Sequence, residues 1–230
     1  PFLSMLTSIA IVNRSSKKTP TEIAKCARSI DWQVRMNLAP AWGFYASIFH
    51  ATDDKLLPDS TWRVYLYDEP QDLAGAGRLG YHRFDGPIPT PVGHVFVGPS
   101  ERADEPWTGI VSHEVIEMLG DPWVNLEVRR GAELWPRELC DAVQGHYYRT
   151  PLIEGVEVAD FLLPEYFIEG ANGPYDYLGR LSAPFSVAPT GYSLVTREGV
   201  MKALYGERYA SWRREPRPAS RRAERYGATR

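Results

Sequence analysis

The segment "PWTGIVSHEVIEML", residues 106–119, constrains this chain more than any other. Placed on a helical wheel, its apolar residues cover nearly the whole circle, and a helix of that kind has to be buried. Three ionisable groups, His113, Glu114 and Glu117, share one arc of it. At helical spacing Glu117 lies about 40° and Glu114 about 100° from His113. Two carboxylates side by side in a buried place repel each other and are costly to desolvate. A divalent cation removes both problems. His113 and Glu117, one turn apart, point at a common ion. Glu114, on the neighbouring face, is placed to hold water beside that ion without ligating it. The segment therefore predicts a metal-site helix carrying one divalent ion, with zinc the first choice. The competing reading is an acidic edge open to solvent along a cleft, and the apolar surroundings weigh against it.

"GDP", residues 120–122, closes the segment. Gly120 suits a left-handed turn, Pro122 prevents the helix from resuming, and Asp121 would come round towards the ion. A third protein ligand is needed. Glu138 and Asp141 in "ELCD" are three residues apart, on one face if helical, and compete with Asp121 for the role. His146 is a further candidate. His50, His82 and His94 lie in or beside predicted strands and read as structural or surface residues. Cys140 reads as a buried, inert thiol.

The rest of the first half supplies a frame for this helix. "TSIAIVN" (7–13) is rich in β-branched residues and predicts a first strand. "TPTE" opens a helix: Thr19 caps, Pro20 takes the first helical position, and Glu22 completes a capping box. Ile23, Ala27, Ile30, Val34 and Leu38 recur at helical spacing, and Pro40 should stop the helix. Strands are predicted over 45–51, 62–68 and 93–98, with a Gly/Pro-rich loop around a short edge strand between the last two. The order through residue 120 is β-α-β-β-β-α. Beyond Pro122 the signals weaken to loops and short strands. "REGVMKALYGERYASWRR" has the pattern of a terminal helix.

Composition sets the class. A chain of 230 residues with 43% hydrophobic and 24% charged residues is of globular type, with room for one domain of ordinary size. Its longest apolar runs are too short to cross a bilayer. "PFLSMLTSIAIVN" lacks the basic lead and cleavage site of a signal peptide, so a cytoplasmic or virion-associated location is expected. Two cysteines make no disulfide framework. Charge divides the chain: residues 206–230 carry eight Arg and three acids, whereas the remainder is acidic. We therefore expect a metal-binding domain over 1–205 and a basic, flexible tail over 206–230. Such a tail suits an acidic partner or nucleic acid.

The order β-α-β-β-β followed by a His-Glu-bearing helix resembles the upper half of zincin metallopeptidases. "SHEVIEMLGDP", "ELCDAV", "DFLLPEYF" and "TGYSLV" also resemble a set of uncharacterised bacterial and phage proteins. These carry His-Glu-x-x-Glu, Asp-Pro, Glu-x-x-Asp and a late Gly-Tyr in the same order. The likeness spans about residues 5 to 195. It implies an α+β, zincin-like fold: a mixed sheet, a long backing helix, a metal-site helix and a loop-rich C-terminal half. It also implies His113 and Glu117 as ligands, Glu114 as base, and Glu138 or Asp141 completing the site. In the gluzincin pattern a downstream Glu ligates and a nearby Asp orients the ligand histidine. This chain departs from true zincins at Glu117, where they have a second histidine. It also has Trp123 where metzincins have a third.

Two functions follow as expectations. The first is a metal-dependent hydrolase acting on a peptide or protein, with Tyr192, Tyr147 or Tyr148 available to stabilise an oxyanion. The second is a non-catalytic structural or assembly protein, of the phage-related kind, that keeps an ion for stability and docks through its tail.

Overall fold

The structure is a computed structural model that describes residues 7–72, 74–85 and 90–209. The β-branched run at the N-terminus forms β1 (Thr7–Asn13), as its sequence predicts. It lies inside a five-stranded sheet with β2 (Ala46–Ala51), β3 (Trp62–Tyr67), β4 (Gly80–Asp85) and β5 (Thr90–Phe96). The order is β2-β1-β3-β5-β4. The β1–β2, β1–β3 and β3–β5 pairs are parallel, and β4 alone runs antiparallel, against β5. The short edge strand expected in the Gly/Pro-rich stretch is thus β4, a terminal strand of this sheet.

Two long helices cover the sheet. The Thr19 capping box forms as predicted and starts α1 (Pro20–Gln33). Pro40 does not end that helical stretch. A π-helical turn over Val34–Leu38 widens it, and α2 (Ala39–Trp42) continues to Gly43, which stops it in the left-handed region at φ 71°. The wide turn puts Pro40 at the start of a new α-helical turn, where its missing N–H is no loss. After a short α3 (Val97–Arg102) comes α4 (Trp107–Gly120), the predicted metal-site helix. Every residue of α4 from Thr108 to Gly120 is buried.

Period-two alternation decides what faces these helices. Ile9 and Ile11 of β1 and Val64 and Leu66 of β3 pack with Ile23, Ile30 and Val34 of the α1 stretch and with Val111, Val115 and Ile116 of α4. Each such aliphatic side chain, fully buried, contributes about 1.5–3 kcal/mol. Ala10 and Val12 join a smaller cluster with Ala51 on the other face. A polar clamp joins the two helices inside the core. Ser112 Oγ donates to Gln33 Oε1 at 2.6 Å and accepts from Ala159 N at 3.0 Å, while Gln33 Nε2 donates to Ala159 O at 2.7 Å.

The second half is loop-rich and adds two antiparallel sheets. β6 (Glu127–Arg130), β7 (Glu133–Pro136), β10 (Tyr192–Arg197) and β11 (Val200–Tyr205) form one, in the order β11-β10-β7-β6. β8 (Tyr147–Arg149) pairs with β9 (Glu157–Ala159). The whole is a mixed α+β architecture. The terminal helix expected from residue 197 onward is instead the hairpin β10–β11. Glu198 and Gly199 both take positive φ, 51° and 76°, and form the two-residue turn whose twist suits a hairpin. Packing also continues past residue 205. Gly206 N donates to Gly191 O, Arg208 N donates to Pro189 O, and Tyr209 is buried. The tail expected from residue 206 therefore starts no earlier than residue 210, and residues 210–230 lie outside those described. Among the described residues no helix is long and apolar enough to cross a membrane. Cys26 and Cys140 are both free and buried.

Candidate metal centre

The three ionisable residues of α4 line one cleft, together with Gly80 at the start of β4, Asp141 and Tyr192. All three are buried, His113 at 7% exposure, Glu114 at 3% and Glu117 at 1%. The acidic edge open to solvent is therefore not what forms. His113 Nε2 lies 3.1 Å from Glu117 Oε1 and 3.3 Å from Asp141 Oδ1. Four donors at about 2.0–2.1 Å around a tetrahedral ion sit about 3.3 Å from one another. The two edges from His113 have that spacing, and the donor atoms of His113, Glu117 and Asp141, all within 4.8 Å of one another, form one of two compact groups that could hold a cation.

The electrostatics explain how these side chains coexist. Burial pushes the His113 imidazole towards its neutral form, but Glu117, Asp141 and Glu114 win, and it is held well above its ordinary value. Burial likewise pushes Glu117 up, and His113 and then His82 reverse this, holding the carboxylate well below its ordinary value. His113 is thus the neighbour that most offsets the Glu117 charge. Even so, Glu114 Oε2 is buried and accepts no hydrogen bond. An orphaned buried carboxylate oxygen is expensive, and a divalent ion satisfies it. The donor set thus fits a metal.

His82 is the residue that sequence reasoning misses. It is fully buried on β4, with Nδ1 3.5 Å from Glu114 Oε2 and 3.6 Å from Glu117 Oε2. Its Nε2 side lies 3.3 Å from the Asp121 carbonyl and 3.8 Å from Glu138 Oε2. One signal is present in the sequence. Gly80 and His82 are two apart on a strand and so share a face, and the bare Gly80 marks a close approach. A Cβ at Gly80 would lie 2.7 Å from Glu114 Oε1 and 3.0 Å from Ile110 Cγ2.

The downstream candidates separate. Asp141 opens a 3₁₀ turn, Asp141–Val143, and its carboxylate faces His113. Glu138 faces His82 instead. Asp121 is a correction: its carboxylate accepts from Asn125 N at 2.9 Å and Leu126 N at 3.1 Å, so it caps the loop after α4 and does not join either group. Gly120 is a related correction. It stays helical, and its missing side chain makes room for Leu139, whose Cδ1 would lie 2.8 Å from an added Cβ. The carbonyl of Gly120 accepts from Arg137 Nε at 2.8 Å, a cation at the negative end of the helix. His146 Nε2 is buried but belongs to neither group, and Cys140 does not either. Burial, with Glu117 and Asp141 nearby, holds the Cys140 thiol well above its ordinary value.

Of the tyrosines, Tyr192 lines the cleft, whereas Tyr147, which donates to Glu105 at 2.6 Å, and Tyr148, which donates to Asn37 at 2.9 Å, do not. The Tyr192 ring stands 5.2 Å from that of Tyr209, which also lines the cleft. Comparison of the chain with protein-family models, with curated proteins and with solved structures gave no match.

Proposed function

We propose that this protein is a metal-dependent hydrolase with a zincin-like arrangement, acting on peptide bonds. The observation that carries this reading is the buried group His113, Glu117 and Asp141, at ligand spacing in a cleft beside Glu114. A divalent ion held there, zinc first, supplies a Lewis acid that polarises a carbonyl and acidifies water. The protein's own groups divide the remaining work. His113, Glu117 and Asp141 bind. Glu114 Oε1, on the Gly80 side, takes the proton from the attacking water as general base. Tyr192 donates a hydrogen bond to the developing oxyanion.

The sheet supports a peptide as substrate. β4 is a terminal strand, and Gly77 and Gly80 at its leading end line the cleft. An extended chain can pair with such a strand, with backbone hydrogen bonds giving affinity whatever the side chains. A parallel sheet with one antiparallel terminal strand, covered on one face by α1 and α4, is compatible with the zincin-like reading.

The test is a paired measurement on the full chain purified without added metal. Elemental analysis should find a divalent ion, and a mixed peptide library should be cleaved by the protein but not after chelation. Metal without hydrolysis across such a library would favour a structural or assembly role in which the ion only stabilises the fold. Absence of metal, with a melting curve indifferent to zinc and chelator, would remove the proposal.

A further inference from the structure

We propose that the centre is dinuclear: a second divalent cation sits between His82 Nδ1, Glu114 Oε2 and Glu117 Oε2, and Glu117 bridges it to the first. This rests on the reading that His113, Glu117 and Asp141 hold the first ion, and it changes the nature of that site.

Geometry carries the inference. The donor atoms of His82, Glu114 and Glu117 form a compact group in their own right. Their separations from His82, 3.5 and 3.6 Å, match the edges of a four-coordinate site of about 3.3 Å to within a few tenths. Glu117 belongs to both groups but offers a different oxygen to each: Oε1 faces His113, and Oε2 faces His82. A carboxylate used in this way holds two ions at the roughly 3.5–4 Å separation of two-metal hydrolases.

The surroundings of His82 fit a ligand. Its Nε2 faces the Asp121 carbonyl at 3.3 Å, with Glu138 Oε2 beyond at 3.8 Å. A proton on Nε2 donated to that side leaves the Nδ1 lone pair directed at Glu114 and Glu117. Ligand histidines are commonly oriented in this way by a carbonyl or carboxylate on the far nitrogen. Glu114 Oε2, buried and without a hydrogen-bond partner, points at the same place.

Charge gives an independent reason. Glu114, Glu117, Glu138 and Asp141 are all buried around two imidazoles. Two dications carry the charge that matches four carboxylates. Burial without compensation is what proteins avoid. Glu114 then ligates through Oε2 and keeps Oε1 on the cleft side by Gly80.

The experiment is a count of ions. The full chain, stripped with chelator, is titrated with Zn²⁺ and its stoichiometry read by calorimetry and by elemental analysis after dialysis. Two equivalents are expected in the wild type and one in His82→Gln. Loaded with Mn²⁺, the wild type should show the spin-coupled resonance of a bridged pair, a readout that needs no variant to fold. One equivalent, lost in His113→Gln, with an isolated Mn²⁺ signal, overturns the second site and leaves the first intact. No bound ion overturns both.

Discussion

His113 and Glu117, one turn apart on α4, meet at 3.1 Å with both side chains buried. The contact sets the imidazole against the carboxylate, and on the proposed reading the same two atoms would serve as ligands to the first ion. The consequence is a site whose integrity matters to stability before it matters to chemistry. His113→Ala should abolish binding of the first ion. It should also destabilise the metal-free fold by about 3–5 kcal/mol, because Glu117 loses the charge that compensates it. Urea unfolding in chelator measures this. A variant as stable as the wild type would mean that Glu117 is protonated in the apo protein and the pair does not exist.

How much of this is legible in the sequence depends on the range of the signal. α4, its burial and its three ionisable groups follow from local periodicity, as do β1 and the Thr19 cap. Asp141 and Glu138 are visible as a pair, yet their division between His113 and His82 depends on how the loop after α4 returns, which no local pattern encodes. His82 escapes notice because one histidine on a strand looks the same whether it faces solvent or a helix. Only the antiparallel pairing of β4 with β5 places it over Glu114. The hairpin β10–β11 reads as a helix because "REGVMKALY" has good helix formers, while the Glu198–Gly199 turn and the sheet partner β7 override propensity.

Tyr192 can be tested without disturbing the metal. Tyr192→Phe keeps the ring beside Tyr209 and Tyr205 and removes only the hydroxyl. If that hydroxyl serves the oxyanion, kcat should fall on the order of a hundredfold with KM little changed. A rise in KM with kcat unchanged would assign Tyr192 to substrate binding instead.

Residues 206–209 and 210–230 should behave differently. A chain cut after Ser211 should unfold in urea as the full chain does. A cut after Tyr205 removes the buried Tyr209 ring, packed 4.9 Å from Tyr205, and should cost about 3 kcal/mol. Identical stability of both truncations would show that Tyr209 packing is energetically idle. If the basic segment binds polyanions, that binding should be lost in both truncations and weaken steeply with salt in the full chain.

Asp160 should give the fold a pH dependence of its own. It is buried, its Oδ1 accepts from Phe161 N and Leu178 N, and burial followed by the adjacent Asp176 pushes it up to about 8 from 3.8. Below about pH 4 both folded and unfolded chains hold this proton. Between about 4 and 8 only the folded chain does, so stability falls as pH rises, at up to ~1.4 kcal/mol per unit. Above about 8 the loss is complete. Asp160→Asn keeps the acceptor for both N–H groups and cannot ionise. It should flatten the stability curve across that window and be at least as stable as the wild type at pH 8. Parallel curves for the two proteins would show that Asp160 is already ionised in the fold.

Glu114 decides between enzyme and structural site. Glu114→Gln preserves size and can still ligate through its carbonyl oxygen, but it cannot accept a proton from water. The ion held by His113, Glu117 and Asp141 should remain, since none of those contacts involves Glu114. An ion at His82 should be held more weakly, because a neutral amide replaces a carboxylate. Peptide hydrolysis should fall on the order of a hundredfold or more, the usual cost of losing a general base. The two readouts are independent: metal content reports ligation, and the rate with the first site kept saturated by added zinc reports proton transfer. Full activity with zinc present would exclude Glu114 as the base and leave the water to be activated by the metal centre alone. Loss of every ion would make Glu114 a ligand that the first site cannot do without, and Asp141 would then be the carboxylate left to take the proton.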